Sequence, residues 1–201
     1  MPGPRRLCAA ILLVLTPAFA RPAHAHLMNT GFGPFYDGLT HLFLTPEDLL
    51  QVIGVALLAG LGGVRSARVA LLALPAAWLA GNVAGTYVGP HPTGLVPTAV
   101  ATIALGLLVA VDAPLSPWSI AGVAIVIGLL GGGWNGVELV AAHASLLVGV
   151  GAVCALFLTV SLLGGQVASV RAPWARIVVR VGGSWIAAIG LLMLGWSLRA
   201  A

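Results

Sequence analysis

From Pro46 to Leu198 the chain reads as a succession of apolar runs, most near the length needed to cross a bilayer and separated by only a few residues. No other feature constrains the fold as strongly. A helix rises about 1.5 Å per residue, so about 20 apolar residues cover the ~30 Å of hydrocarbon. Inside that layer only helices and closed barrels satisfy their own backbone hydrogen bonds. The runs are continuous rather than alternating, which argues against a barrel and for helices. The chain is 60% hydrophobic and 7% charged, whereas a water-soluble domain carries roughly 25% charged residues. The expectation is therefore an all-α polytopic membrane protein, a compact bundle of about six transmembrane helices after a signal peptide.

The spans are expected at about 46–64, 69–87, 94–111, 118–134, 137–163 and 177–198. Between them lie RSAR, GPHP, DAPLSP, GWNG and GGQVASVRAPWAR, whose Pro and Gly mark breaks. Residues 1–25 read as a secretory signal, with Arg5 and Arg6 before the short apolar stretch LCAAILLVL. Cleavage sites of the A-x-A kind end at Ala20 and at Ala25. Residues 26–45 form a polar outer segment, and 46–201 the membrane domain.

The net charge of +4 comes from arginine alone, since the chain has no lysine. In short loops these arginines are topology signals, not a nucleic-acid patch. Arg65, Arg68, Arg171 and Arg176 fall in loops that are cytoplasmic if a signal peptide delivers the mature amino terminus outside. The loops around His91 and Asn135 carry no basic residue. The expected location is a bacterial inner membrane, multi-pass, with both termini outside. Cys8 and Cys154 sit in separate apolar runs without C-x-x-C spacing, so neither a disulfide nor a thiolate site is indicated. Glycine runs such as GLLGGGWNG permit close helix approach, or act as caps and breaks where they fall near helix ends.

Ionisable groups beside or within spans are expensive and mark candidate sites. Three of the five acidic residues cluster in GPFYDGLTHLFLTPEDLL: Asp37, Glu47 and Asp48, with His41 among them. TPED reads as a helix start, with Thr45 as N-cap, Pro46 first, and Glu47 and Asp48 in the first turn, where Asp48 can bond back to the cap. Asp37 and His41, four apart, share a helical face, and carboxylate with imidazole suits a divalent metal ion. Later, Asn135 and Glu138 share a face. His143 lies about 140° round a regular helix from Glu138 and roughly 7–8 Å deeper, which would set it inside the membrane. His91 and Asp112 read as loop residues. His24 and His26 add imidazoles at the outer edge if cleavage spares them. Ser145 and His143 point apart on a regular helix, and Ser184 in GGSW is on another helix without the expected surrounding motif, so no catalytic nucleophile is expected.

The segment GFGPFYDGLTHLFLTPEDLL, following a secretory signal and opening the first of about six helices, resembles the HupE/UreJ family of small membrane proteins. That family is regarded as nickel or cobalt permeases associated with hydrogenase and urease maturation. Its first motif has a His, a Gly, then an Asp-His pair. His41 matches the first His, Thr45 stands at the Gly position, and Glu47-Asp48 stand at Asp-His. GGGWNGVE fits the frame of its His-Gly-x-x-His-Gly-x-Glu motif, with Gly136 and Glu138 retained and Gly131 and Asn135 at the histidine positions. The resemblance implies a divergent member with partly lost histidine motifs.

Two functions follow. In the first, a metal-ion permease or metal-delivery protein, Asp37, His41, Glu47 and Asp48 capture a divalent ion and Glu138 with His143 pass it inward. Nickel is the substrate implied by the resemblance, with cobalt and copper as alternatives. In the second, a non-transporting structural or assembly subunit, the polar groups only cap helices. Its partners would be the lipid bilayer and a metalloenzyme maturation system or membrane complex, with no nucleic acid.

Overall fold

The computed structural model describes residues 30–88 and 96–200, which contain seven α-helices and no strand. The signal segment with Cys8, Ala20, His24 and Ala25, the start of the outer segment with His26, and the loop with His91 lie outside the described residues. In chain order the helices are α1 (Pro34–Leu44), α2 (Pro46–Leu61), α3 (Val64–Val88), α4 (Val96–Ala110), α5 (Pro117–Ala141), α6 (Leu146–Ser169) and α7 (Pro173–Ala200). Four of them, α3, α5, α6 and α7, are long and apolar enough to cross a membrane. Helices α1 and α2 form one further apolar segment, bent by 78° at the break between them, and α4 is apolar but shorter.

The exterior is unlike that of a water-soluble domain. Trp118, Trp174, Trp185, Trp196, Leu146 and Leu192 point outward, while His41, Asp48, Gln51, Asn82, Thr102 and Asn135 are buried. An apolar exterior matches lipid, and polar groups are retained only where the bundle shields them. On α7 the three tryptophans recur every eleven residues, three helical turns, so they share one outward face.

Glycine sets the packing. Along α5, Gly128, Gly132 and Gly136 back onto the main chain of α3 at Leu74, Trp78 and Asn82. In return Gly81 and Gly85 of α3 back onto Leu129, Gly132 and Gly133 of α5. A Cβ at any of these positions would strike backbone atoms, so the two helices approach as closely as their backbones allow. The same device joins α1 to α6, through Gly38 against Val148 and Gly151 against Phe35. It also joins α4 to α7, through Gly106 and Gly183.

Several boundaries differ from the expected spans: RSAR lies inside α3, GGQVAS ends α6 and PWAR opens α7, and the largest shift is at GWNG. GWNG is no connection: it lies inside α5, and the break falls at Ala142–Ser145. His143 takes a positive φ of 49° there, and the Ser145 hydroxyl caps α6 by accepting from Leu147 N–H at 3.3 Å. The expected fifth span of 137–163 is therefore the end of α5 plus most of α6.

At the opposite end of α5, the α2–α3, α4–α5 and α6–α7 connections gather. Arg176 spans them: its Nε donates to Asp112 Oδ2 at 2.6 Å, and its Nη2 donates to Asp112 Oδ1 at 2.8 Å and to the Leu61 carbonyl at 3.4 Å. Arg180 Nε donates to the Ala110 carbonyl at the end of α4. Asp112, expected as a plain loop acid, thus clamps α7 to the bundle. Because the pair is half open to solvent, Asp112→Asn is expected to lower stability by no more than about 1 kcal/mol, checked by thermal unfolding in detergent.

Candidate functional site

The site begins with Pro46. Proline has no N–H to continue a helix and disfavours helical geometry in the residue before it. Thr45 accordingly sits at φ −106°, ψ 88°, α1 stops at Leu44, and α2 leaves at a steep angle. Thr45 turns back on α1: its N–H and its hydroxyl both donate to the His41 carbonyl at 3.0 Å, and the hydroxyl lies 3.5 Å from His41 Nε2. The reciprocal cap expected for TPED does not form. Thr45 caps α2 in position but makes no side-chain bond to it, and the N–H that Asp48 would have accepted is given to His41. Asp48 is left free to face inward, buried and within electrostatic reach of Glu47 and Glu138.

His41 lies in the last turn of α1, and the Gly38 and Gly151 contacts press that helix against α6. Glu138 lies in the last turn of α5. Their side chains meet across the bundle, His41 Nε2 to Glu138 Oε2 at 3.7 Å. His41 is buried, whereas the Glu138 side chain is 52% exposed and reaches the surface. His41, Glu47, Asp48 and Glu138 therefore form one ionisable group at the end of the bundle opposite the Arg176 clamp. Glu47 enters this group through its charge, felt by both His41 and Asp48.

Two residues singled out from sequence stand apart. Asp37 accepts from both the N–H and the hydroxyl of Thr30 at 2.6 Å, closing the turn that leads through Gly31 and Gly33 into α1. His143 is exposed in the α5–α6 turn, not within a helix. Among the described residues, no three His, Cys, Asp or Glu side chains converge as a ready-made coordination sphere.

Behind the ionisable group lie buried carboxamides. Gln51, three residues after Asp48 on α2, donates to the Thr98 carbonyl and to Thr102 Oγ1, both at 3.2 Å, and so ties α2 to α4. Asn82 of α3 and Asn135 of α5 are buried, as is Trp78. Trp78 Nε1, both polar atoms of the Asn82 amide and Asn135 Oδ1 have no hydrogen-bond partner. A buried polar group left unpaired costs about 1–3 kcal/mol, so four together are a concentrated cost. Gln51 and Trp78 were not candidates from sequence. For Gln51 the available signal was its spacing of three from Asp48 within an apolar run; Trp78 reads as an ordinary core aromatic.

A family model described as HupE / UreJ protein matches residues 9–193. No curated protein and no solved structure matches the chain. The matched stretch takes in the α1–α2 elbow, the glycine-packed α3–α5 pair and the Glu138 end of α5, and on that match this chain belongs to the HupE / UreJ family.

Proposed function

We propose that this membrane protein is a permease for a divalent transition-metal cation of the nickel or cobalt kind, with its mouth at His41, Asp48 and Glu138, flanked by Glu47. Family membership supports a metal-related role in the membrane. The observation that carries the reading is the meeting of His41 and Glu138 at 3.7 Å, with a buried Asp48 within electrostatic reach of Glu138. Imidazole with carboxylates is a donor set for borderline divalent metals. A buried carboxylate without a hydrogen-bond donor or cation is costly, which makes it a functional candidate. Glu138, half exposed, would bring an arriving ion to the buried His41 and Asp48. Arg65, Arg68, Arg171, Arg176 and Arg180 gather at the other end, and the positive-inside rule supports a mouth on the outer side.

The test is uptake into proteoliposomes. The wild type is expected to accumulate nickel or cobalt above protein-free liposomes, and Glu138→Gln to reduce uptake at low concentration by about tenfold or more, the scale on which even indirect ligand partners act. Wild-type uptake equal to that of empty liposomes would sink the permease reading and favour an assembly role.

A further inference from the structure

The four unpartnered polar atoms are not scattered. Trp78 and Asn82 are four apart on α3 and share a face; Gly131 and Asn135 do the same on α5. Gly131 has no side chain where the Trp78 ring packs, and Gly136 backs onto the Asn82 main chain. Helix α6 closes the third side with Gly149, where a Cβ would stand 3.3 Å from Asn82 Nδ2. Trp78, Asn82 and Asn135 are 1%, 5% and 2% exposed. Glu138 follows Asn135 by three residues, about 4.5 Å along the helix, so the group begins one step inside the mouth.

Its chemistry is balanced. Trp78 Nε1–H and Asn82 Nδ2 donate; Asn82 Oδ1 and Asn135 Oδ1 accept. A bare cation calls for acceptors only and an anion for donors only. Water donates and accepts, and an internal water takes two to four polar partners. Exchanging the oxygen and nitrogen of Asn82 changes nothing, since both are unpartnered.

We propose that Trp78, Asn82 and Asn135 form an internal water site between α3, α5 and α6 that continues the His41–Asp48–Glu138 mouth into the bundle. Only its place on a cation route rests on the permease reading. On that route an ion leaving the charged mouth meets water and neutral amide oxygens, and passes inward partly hydrated.

X-ray hydroxyl-radical footprinting of the full chain in detergent tests the site, because radicals formed from bound water oxidise the side chains beside it. Trp78 is expected to be oxidised despite its burial, and several-fold less in Asn82→Leu/Asn135→Leu, which keeps the side-chain shapes but removes the polar atoms. An unlabelled Trp78 in the wild type overturns the proposal without recourse to any variant. So does a clear rise in the unfolding temperature of the leucine pair, the result expected if the amides are dry and uncompensated. Nickel uptake separates the two readings: a wild type labelled at Trp78 that moves no cation fails as a permease and keeps the water site.

Discussion

Replacing Gly132 with leucine is expected to unfold the bundle at temperatures where the wild type is intact. A Cβ at this position lands on the Trp78 carbonyl, and one at Gly136 lands on the Asn82 carbonyl. These obstacles are main-chain atoms, which no rotamer change moves aside. Relief requires α3 and α5 to separate, and separation also loosens the reciprocal contacts of Gly81 and Gly85. In a membrane no hydrophobic drive compensates, since lipid solvates the exposed faces as well as the partner helix did. Overpacking a well-fitted core costs about 1–3 kcal/mol, and a backbone obstacle puts Gly132→Leu at or above the top of that range. Gly122 lies on the same helix with nothing within 4 Å of a Cβ. Gly122→Leu is therefore expected to be neutral or slightly stabilising through helix propensity. Thermal unfolding in detergent, followed by circular dichroism, compares the two. Equal melting of both variants would remove close glycine packing as the basis of the fold.

The helical membrane class was legible because it follows from solvent: long apolar runs without alternation admit one backbone solution. The boundary between α5 and α6 was not. GGGWNG carries the punctuation of a loop, yet its glycines serve the α3 contact and stay helical. AHAS carries no Gly or Pro, yet it is where the chain turns, with His143 in a left-handed conformation and Ser145 as cap. Glycine spaced four apart within an apolar run is ambiguous between seam and break until the facing helix is known. The elbow at Pro46 was visible as a helix start, but the packing of the helix before it was not, because that depends on Gly151 of a distant segment.

The site was half legible. His41, Asp48 and Glu138 stood out because ionisable groups are rare here, and that rarity has a physical cause in the cost of burying charge. The meeting of His41 with Glu138 depends on the 78° bend and on how α1 lies on α6, neither of which local spacing encodes. The i, i+4 relation of Asp37 to His41 was sound as helical geometry, but Thr30, outside the helix, takes the carboxylate. Asp48 illustrates the opposite failure. Helix-cap chemistry gave it a sufficient local role, and the structure withholds that role by sending the Thr45 N–H to His41.

If His41 and Glu138 act on one ion, His41→Gln and Glu138→Gln are each expected to weaken nickel binding by about 10–100-fold, and the double variant by much less than the product. Groups sharing one ligand couple by about 0.5–3 kcal/mol, whereas groups at separate sites add. The comparison is sharp because the residues sit on α1 and α5, far apart in sequence, and meet only through the tertiary fold. Glutamine keeps the size of Glu138 and approximates that of His41, so loss of packing is small beside loss of donor. Asp37→Asn and His143→Gln serve as controls expected to leave affinity unchanged, since one is held by Thr30 and the other is exposed beyond the end of α5. Isothermal titration of the full chain in detergent measures all five. Costs that multiply fully would mean that the 3.7 Å meeting is a structural contact and that cation capture lies elsewhere. A loss in Asp37→Asn as large as in His41→Gln would instead mean that the Thr30 turn opens to admit the ion.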